Sequence, residues 1–145
     1  AIHRLLQYIC TLAADKREPA SLEFIQKQLP EISVLEQNSI VKEVLTLCYA
    51  YPDLFSAQSM AEVPIIGEVD GKIISAKVDR LIVTADKVLV VDYKTNRPAA
   101  KKISDIPLLY LNQLQTYKKL LQKIYPDKEI ETYILWTNTC NMMKV

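Results

Sequence analysis

Asp92 and Lys94 stand two residues apart at the end of a valine-rich run that begins at Lys87. Alternate side chains of a strand share a face, so this carboxylate and ammonium point the same way, with α-carbons roughly 6–7 Å apart. Val88 and Val90 lie on that face, and Tyr93 and Thr95 point away. Asp79 belongs to the preceding strand, and pairing the two strands across a short turn brings it near Asp92. Two carboxylates converging at a sheet end make a hard, oxygen-lined site of the kind Mg²⁺ prefers, with water and a phosphate in the remaining positions. Such an ion can generate hydroxide from bound water and stabilise a phosphate under attack. Lys94 beside it could orient that water or offset developing negative charge. The same residues also read as an exposed ion pair next to a turn aspartate, because strand ends often carry charges. Spacing alone leaves both readings open.

The elements that must position these residues follow from periodicity. Ile2 to Ala14 carries apolar residues at helical spacing and stops before the charged run Asp15–Glu18. A second short helix spans Ser21 to Leu29 and ends at Pro30. A third starts with a capping box, Ser33 with Glu36 three residues on, and runs to Pro52. Val63–Ile66, Ile73–Val83 and Lys87–Tyr93 are rich in Val and Ile and read as strands. Asp70-Gly71 signals a hairpin between the first two, and Thr84-Ala85-Asp86 a turn between the second and third. Pro98 to Pro107 is a connection, Leu108–Tyr125 an amphipathic helix, Glu131–Thr137 a strand, and Met142–Val145 the start of a last one. This order predicts an α/β (α+β) fold. A β-meander joins a mixed sheet with helices on both sides, and a right-handed crossover makes the fourth strand parallel to the third.

At 145 residues, half of them apolar, the chain is sized for a single domain spanning 1–145. Two glycines cannot furnish a glycine-rich phosphate loop, which excludes a P-loop motor. The net charge is only +1, yet Lys94 to Lys128 holds eight basic residues opposed by Asp105 and Asp127 alone. That stretch could face phosphates or be a solvated helix face. Cys10, Cys48 and Cys140 form no CxxC pair, which fits a reducing cytoplasm. No apolar run reaches the ~18 residues of a membrane span, and there is no signal peptide. The sequence opens without Met inside a helical pattern, from which we expect a domain excised from a longer protein.

Val78-Asp79-Arg80-Leu81 and Val90-Val91-Asp92-Tyr93-Lys94-Thr95 resemble the core of the RecB-like nucleases of the PD-(D/E)xK superfamily. The twelve residues Arg80 to Val91 match that family's hairpin length. Gln113-Leu114-x-x-Tyr117 resembles its Q-x-x-x-Y helix motif, His3-Arg4-Leu5-Leu6 its first-helix histidine motif, and Glu62-Val63-Pro64-Ile65 the strand that enters its sheet. Five motifs in family order cover nearly the whole chain. Trp136-Thr137 near the C-terminus is most similar to the C-terminal nuclease domain of the AddA-type helicase–nucleases. Ala76, three before Asp79, departs from the small residue, usually glycine, common there; the change is mild.

The resemblance implies a restriction-endonuclease-like core and a Mg²⁺-dependent deoxyribonuclease, an exonuclease with Mn²⁺ as a possible substitute. Its setting would be double-strand break processing and recombinational repair. Asp79, Asp92 and Lys94 would be catalytic. His3, Asp79, Asp92 and the backbone carbonyl of Tyr93 would hold the metal. Gln113 and Tyr117, four apart on one helix face, would touch DNA or brace the lysine. The basic residues Arg97, Lys101 and Lys102, with Lys118, Lys119 and Lys123, would hold the strand by their charge. The substrate would be single-stranded DNA ends fed by an ATP-dependent helicase in the same parent chain, with an AddB-type partner subunit. Cys140 stands alone downstream, which excludes the four-cysteine iron–sulfur cluster of other branches. Taken without the family match, His3 reads as a surface residue, Tyr117 as core, Glu62 as a strand-start charge and Arg80 as a salt-bridge partner. Two other functions fit the same fold: an inert module for DNA binding or subunit scaffolding, and a hydrolase acting on RNA or a small molecule. No stripe of base-stacking aromatics favours the last.

Overall fold

A computed structural model describes residues 1–56 and 58–145. The chain divides into two compact units, Ala1–Gln58 and Ser59–Val145.

The first unit is helical: α1 (Ile2–Ile9), α2 (Ala14–Gln28) and α3 (Val34–Ala50). Their apolar stripes supply a core of Leu5, Leu6, Ile9, Ile25, Val41, Val44 and Leu47. Ser33 caps α3 as its sequence predicts. Its Oγ accepts from the Glu36 N–H at 3.2 Å, and the Glu36 carboxylate accepts from the Ser33 N–H at 2.9 Å. The boundary between α1 and α2 differs from expectation. The Thr11 and Leu12 amides bond back to the carbonyls of Tyr8 and Ile9, three residues earlier, and Thr11 Oγ1 also donates to Tyr8 O at 2.6 Å. These tight bonds end α1 at Ile9 rather than Ala14. The charged run Asp15–Glu18, expected as a break, instead forms the start of α2. Asp15 lies in the first turn, where it meets the positive end of the helix dipole. Pro19 sits inside α2 and costs one ladder bond near its start.

The second unit is a five-stranded sheet: β1 (Met60–Val69), β2 (Lys72–Val83), β3 (Lys87–Lys94), β4 (Glu129–Trp136) and β5 (Asn141–Lys144), adjacent in that order. All neighbours are antiparallel except β3 and β4, which are parallel. The crossover between them carries a 3₁₀ turn (Ile103–Asp105) and α4 (Leu108–Ile124). Asp70 and Gly71 both adopt positive φ, 51° and 78°, the backbone a two-residue hairpin between twisted strands requires. β1 begins three residues before the Val63 expected from its apolar run.

Leu114, Tyr117, Leu120 and Leu121 of α4 share one core with Ile65, Val69, Val78, Leu81, Val88, Val90, Ile130 and Ile134 of the sheet. Gly67 allows this approach, since a Cβ there would meet Leu120 Cδ2 at 3.0 Å. Among the described residues no helix is long and apolar enough to cross a membrane.

At the sheet end away from β3's Lys94, Glu131 of β4 accepts from the Tyr133 hydroxyl and pairs with Lys87 Nζ at 2.9 Å and Lys144 Nζ at 3.6 Å. The hydroxyl first, and then Lys87, hold its carboxyl down to about 2. A folded pKa below the unfolded 4.5 contributes stability that is complete above pH 4.5 and disappears as pH falls toward 2. Both lysines are well exposed, so solvent screening leaves about 1 kcal/mol. Glu131→Gln should lose about that much at neutral pH. Its unfolding free energy, measured in urea, should also vary less than wild type between pH 4.5 and 2.

Candidate active site

The strands that carry the acidic residues separate where those residues stand. β2 pairs with β3 from Val83↔Val88 to Arg80↔Val91, and one further step in this register sets Asp79 against Asp92. There a side chain replaces the ladder: the Tyr93 N–H donates to Asp79 Oδ2 at 2.7 Å. On the other side, the β1–β2 register passes from Val63↔Val78 to Ala61↔Arg80 without pairing Glu62 to Asp79. Glu62 has φ 51°. Val78 and Leu81, three apart, both enter the α4-facing core, so the inward alternation of β2 shifts by one residue at Asp79. Glu62 itself lies 3.7 Å from Lys77 Nζ, a strand-start charge paired at the surface.

Asp92 is buried on the face of Val88 and Val90, beneath α4. Its Oδ2 lies 2.7 Å from Lys94 Nζ, a charge-assisted contact. Burial, and next the charge of Asp79, push the Asp92 carboxyl up to about 6, against the pull of Lys94. Two carboxylates that repel each other here, Asp92 buried and Asp79 half-buried, favour a cation between them.

Lys94 is held from three directions. Besides Asp92, its Nζ donates to Gln113 Oε1 at 2.9 Å and lies 4.1 Å from the centroid of the Tyr110 ring. Gln113 Nε2 in turn donates to Tyr117 Oη at 2.8 Å. Burial, then the charges of Asp92 and Asp79, raise the Tyr117 hydroxyl to about 12, so it stays protonated. Gln113 therefore braces the lysine, and Tyr117 serves both the core and the site.

Behind the site, Arg80 is 2% exposed. Its Nε donates to Tyr93 Oη at 3.2 Å, and its Nη1 reaches Ser59 O and Oγ at 3.4 Å. Of the other expected residues, Arg97, Lys101 and Lys102 are exposed on the segment after β3. His3 is half-buried on α1, in the helical unit. Among the described residues no three His, Cys, Asp or Glu side chains converge as metal ligands. The sheet unit thus offers Asp79, Asp92 and main-chain oxygen, a set suited to an ion that keeps several waters. Tyr110 was missed in the sequence; its only signal is helical spacing, three before Gln113 and seven before Tyr117.

Comparison with known proteins meets this geometry. A solved structure from Eubacterium rectale, described as a "putative exonuclease", superposes on all of this chain and 59% of its own with TM-score 0.55 at 17% identity, a likeness of fold. Over 58 residues the chain is 36% identical to the exonuclease/helicase subunit RexA of Lactococcus lactis subsp. cremoris strain MG1363. It is equally similar to an ATP-dependent helicase/nuclease of strain SK11. Each match covers 39% of this chain and 5% of the relative, so the stretch is a small part of those long proteins. The sequence profile of the PD-(D/E)XK nuclease superfamily matches residues 1–139, and the chain belongs to that superfamily.

Proposed function

We propose that this chain is a divalent-metal-dependent deoxyribonuclease, an exonuclease that hydrolyses phosphodiester bonds of single-stranded DNA. The observation that carries it is the Asp79–Asp92 carboxylate pair, Asp92 buried and Asp79 half-buried, with Lys94 Nζ 2.7 Å from Asp92 Oδ2. Asp79, Asp92 and the Tyr93 carbonyl would hold Mg²⁺ or Mn²⁺. A cation bound there would acidify a water and offset phosphate charge. Lys94 has three N–H donors, and Asp92 and Gln113 occupy two. The third meets charge developing on the phosphate or steadies the attacking water. Gln113 fixes the direction of that donor. Arg97, Lys101 and Lys102 hold the strand by its phosphates, a contact that weakens with salt.

The RexA-type similarity supports a parent chain that also unwinds DNA in the cytoplasm, works with a partner subunit of AddB type and serves break repair. In that reading residues 1–145 are its nuclease domain.

The test is a gel assay of end-labelled linear single-stranded DNA, with an RNA strand alongside, in Mg²⁺, Mn²⁺ or EDTA. We expect shortening of DNA with either metal, none in EDTA, and weaker cutting as salt rises. If neither metal supports cutting and neither raises the melting temperature, the chain is an inert module of the same fold.

A further inference from the structure

Beside Lys94 the sheet unit holds a cavity of about 420 Å³ that the mechanism above leaves unused. Its wall includes Trp136 and Tyr110, whose ring centroids lie 6.3 Å apart, with Pro98 and Ala100. Lys101 and Asp105 supply its charged groups. Both aromatic residues tie the cavity to the catalytic lysine. Trp136 is the direct β4 neighbour of Lys94, and the Tyr110 ring lies under Lys94 Nζ. The cavity wall is thus one strand spacing, about 5 Å, from Lys94.

We infer that this cavity is a subsite for one unpaired nucleobase of the strand being cut, the base adjoining the scissile phosphate. The inference rests on the nuclease reading. Trp136 is buried behind this wall, and its accessible part, Tyr110 with Pro98 and Pro107, accepts the flat face of any base, which gives affinity with little sequence preference. The Asp105 carboxylate can accept from a base N–H, such as the N3–H of thymine, and the Lys101 ammonium meets the adjoining phosphate. A base paired in a duplex cannot enter without leaving its stack, so the subsite favours single strands. The exposed Lys101 then answers to charge, and Ala100 answers to the presence of a base.

The test measures binding apart from cutting. Fluorescence anisotropy in EDTA compares a labelled oligothymidylate with a chain of equal length built of abasic nucleotides, using the whole 145-residue protein. Wild type should bind the base-bearing strand about tenfold more tightly. Ala100→Leu, which narrows the cavity, should bring that ratio near one, whereas Lys101→Glu should weaken both strands alike and keep the ratio. Thermal melts show whether each variant is folded. If Ala100→Leu unfolds, Ala99→Leu on the same wall is used in its place. No preference in wild type, or a preference that survives filling, overturns the subsite. A wild type that shows the preference yet cuts nothing in metal overturns the nuclease reading while the base-binding cavity stands.

Discussion

Asp92→Asn should abolish metal-dependent cutting and at the same time raise the melting temperature of the metal-free protein. The two effects have one origin. Burial and Asp79 raise the Asp92 carboxyl from 3.8 to about 6, which means that its charged form is disfavoured in the folded chain. Between those pH values the native state binds more protons than the unfolded state, so stability without metal falls as pH rises through 4 to 6. Above pH 6 the shift corresponds to about 3 kcal/mol of penalty at ~1.4 kcal/mol per unit. Asparagine keeps the shape and removes the charge, but it also leaves Lys94 without its carboxylate. We therefore expect a net gain of about 1–2 kcal/mol at pH 8, a few degrees for a chain of this size. Cutting should fall roughly 10³-fold or more, because the pair that would hold the cation is broken. Thermal melts in EDTA and in Mg²⁺ check the linkage. Metal should stabilise wild type by mass action and leave the variant unmoved. An active variant, or an inactive one that melts lower than wild type in EDTA, removes Asp92 from this role.

How far this site could be read in the sequence depended on which constraints were local. The Asp92–Lys94 pairing of faces follows from a period of two, and the distance between Asp79 and Asp92 follows from the short turn Thr84–Asp86, which fixes the register of β2 on β3. The α3 cap and the Asp70-Gly71 hairpin are local chemistry as well and appear where expected. The α1–α2 boundary was not legible, because Asp15–Glu18 suits a first helical turn as well as a break, and Pro19 reads as a stop though it lies within α2. The shift in alternation at Asp79 was hidden for another reason. It depends on Glu62, seventeen residues away, adopting positive φ where β1 passes it. Tyr110 was concealed by its company, since an aromatic on an amphipathic helix reads as core until the helix is docked and its ring is found under Lys94.

Lys94→Met should lower the rate of cutting by about 10²–10³ while leaving the metal-induced rise in melting temperature intact. Methionine preserves the unbranched stem against Tyr110 and removes only the ammonium. The loss should fall on kcat, because a donor that answers charge developed in the transition state contributes little to binding the ground-state strand. Lys94→Arg should not restore the rate. A planar guanidinium cannot point one donor at Asp92 and another at Gln113 Oε1 from the position Nζ occupies, 4.1 Å from the Tyr110 centroid. Gln113→Ala gives the intermediate case. The lysine keeps its charge and its Asp92 partner but loses a hydrogen bond of 2.9 Å, so we expect a fall of about tenfold, again in kcat. The order Gln113→Ala above Lys94→Met in residual rate is what a braced catalytic ammonium requires. Should Lys94→Met instead raise KM alone, the ammonium holds the strand in the ground state. The Asp79–Asp92 carboxylate pair would then remain as the centre of the chemistry, without a lysine acting at the phosphate.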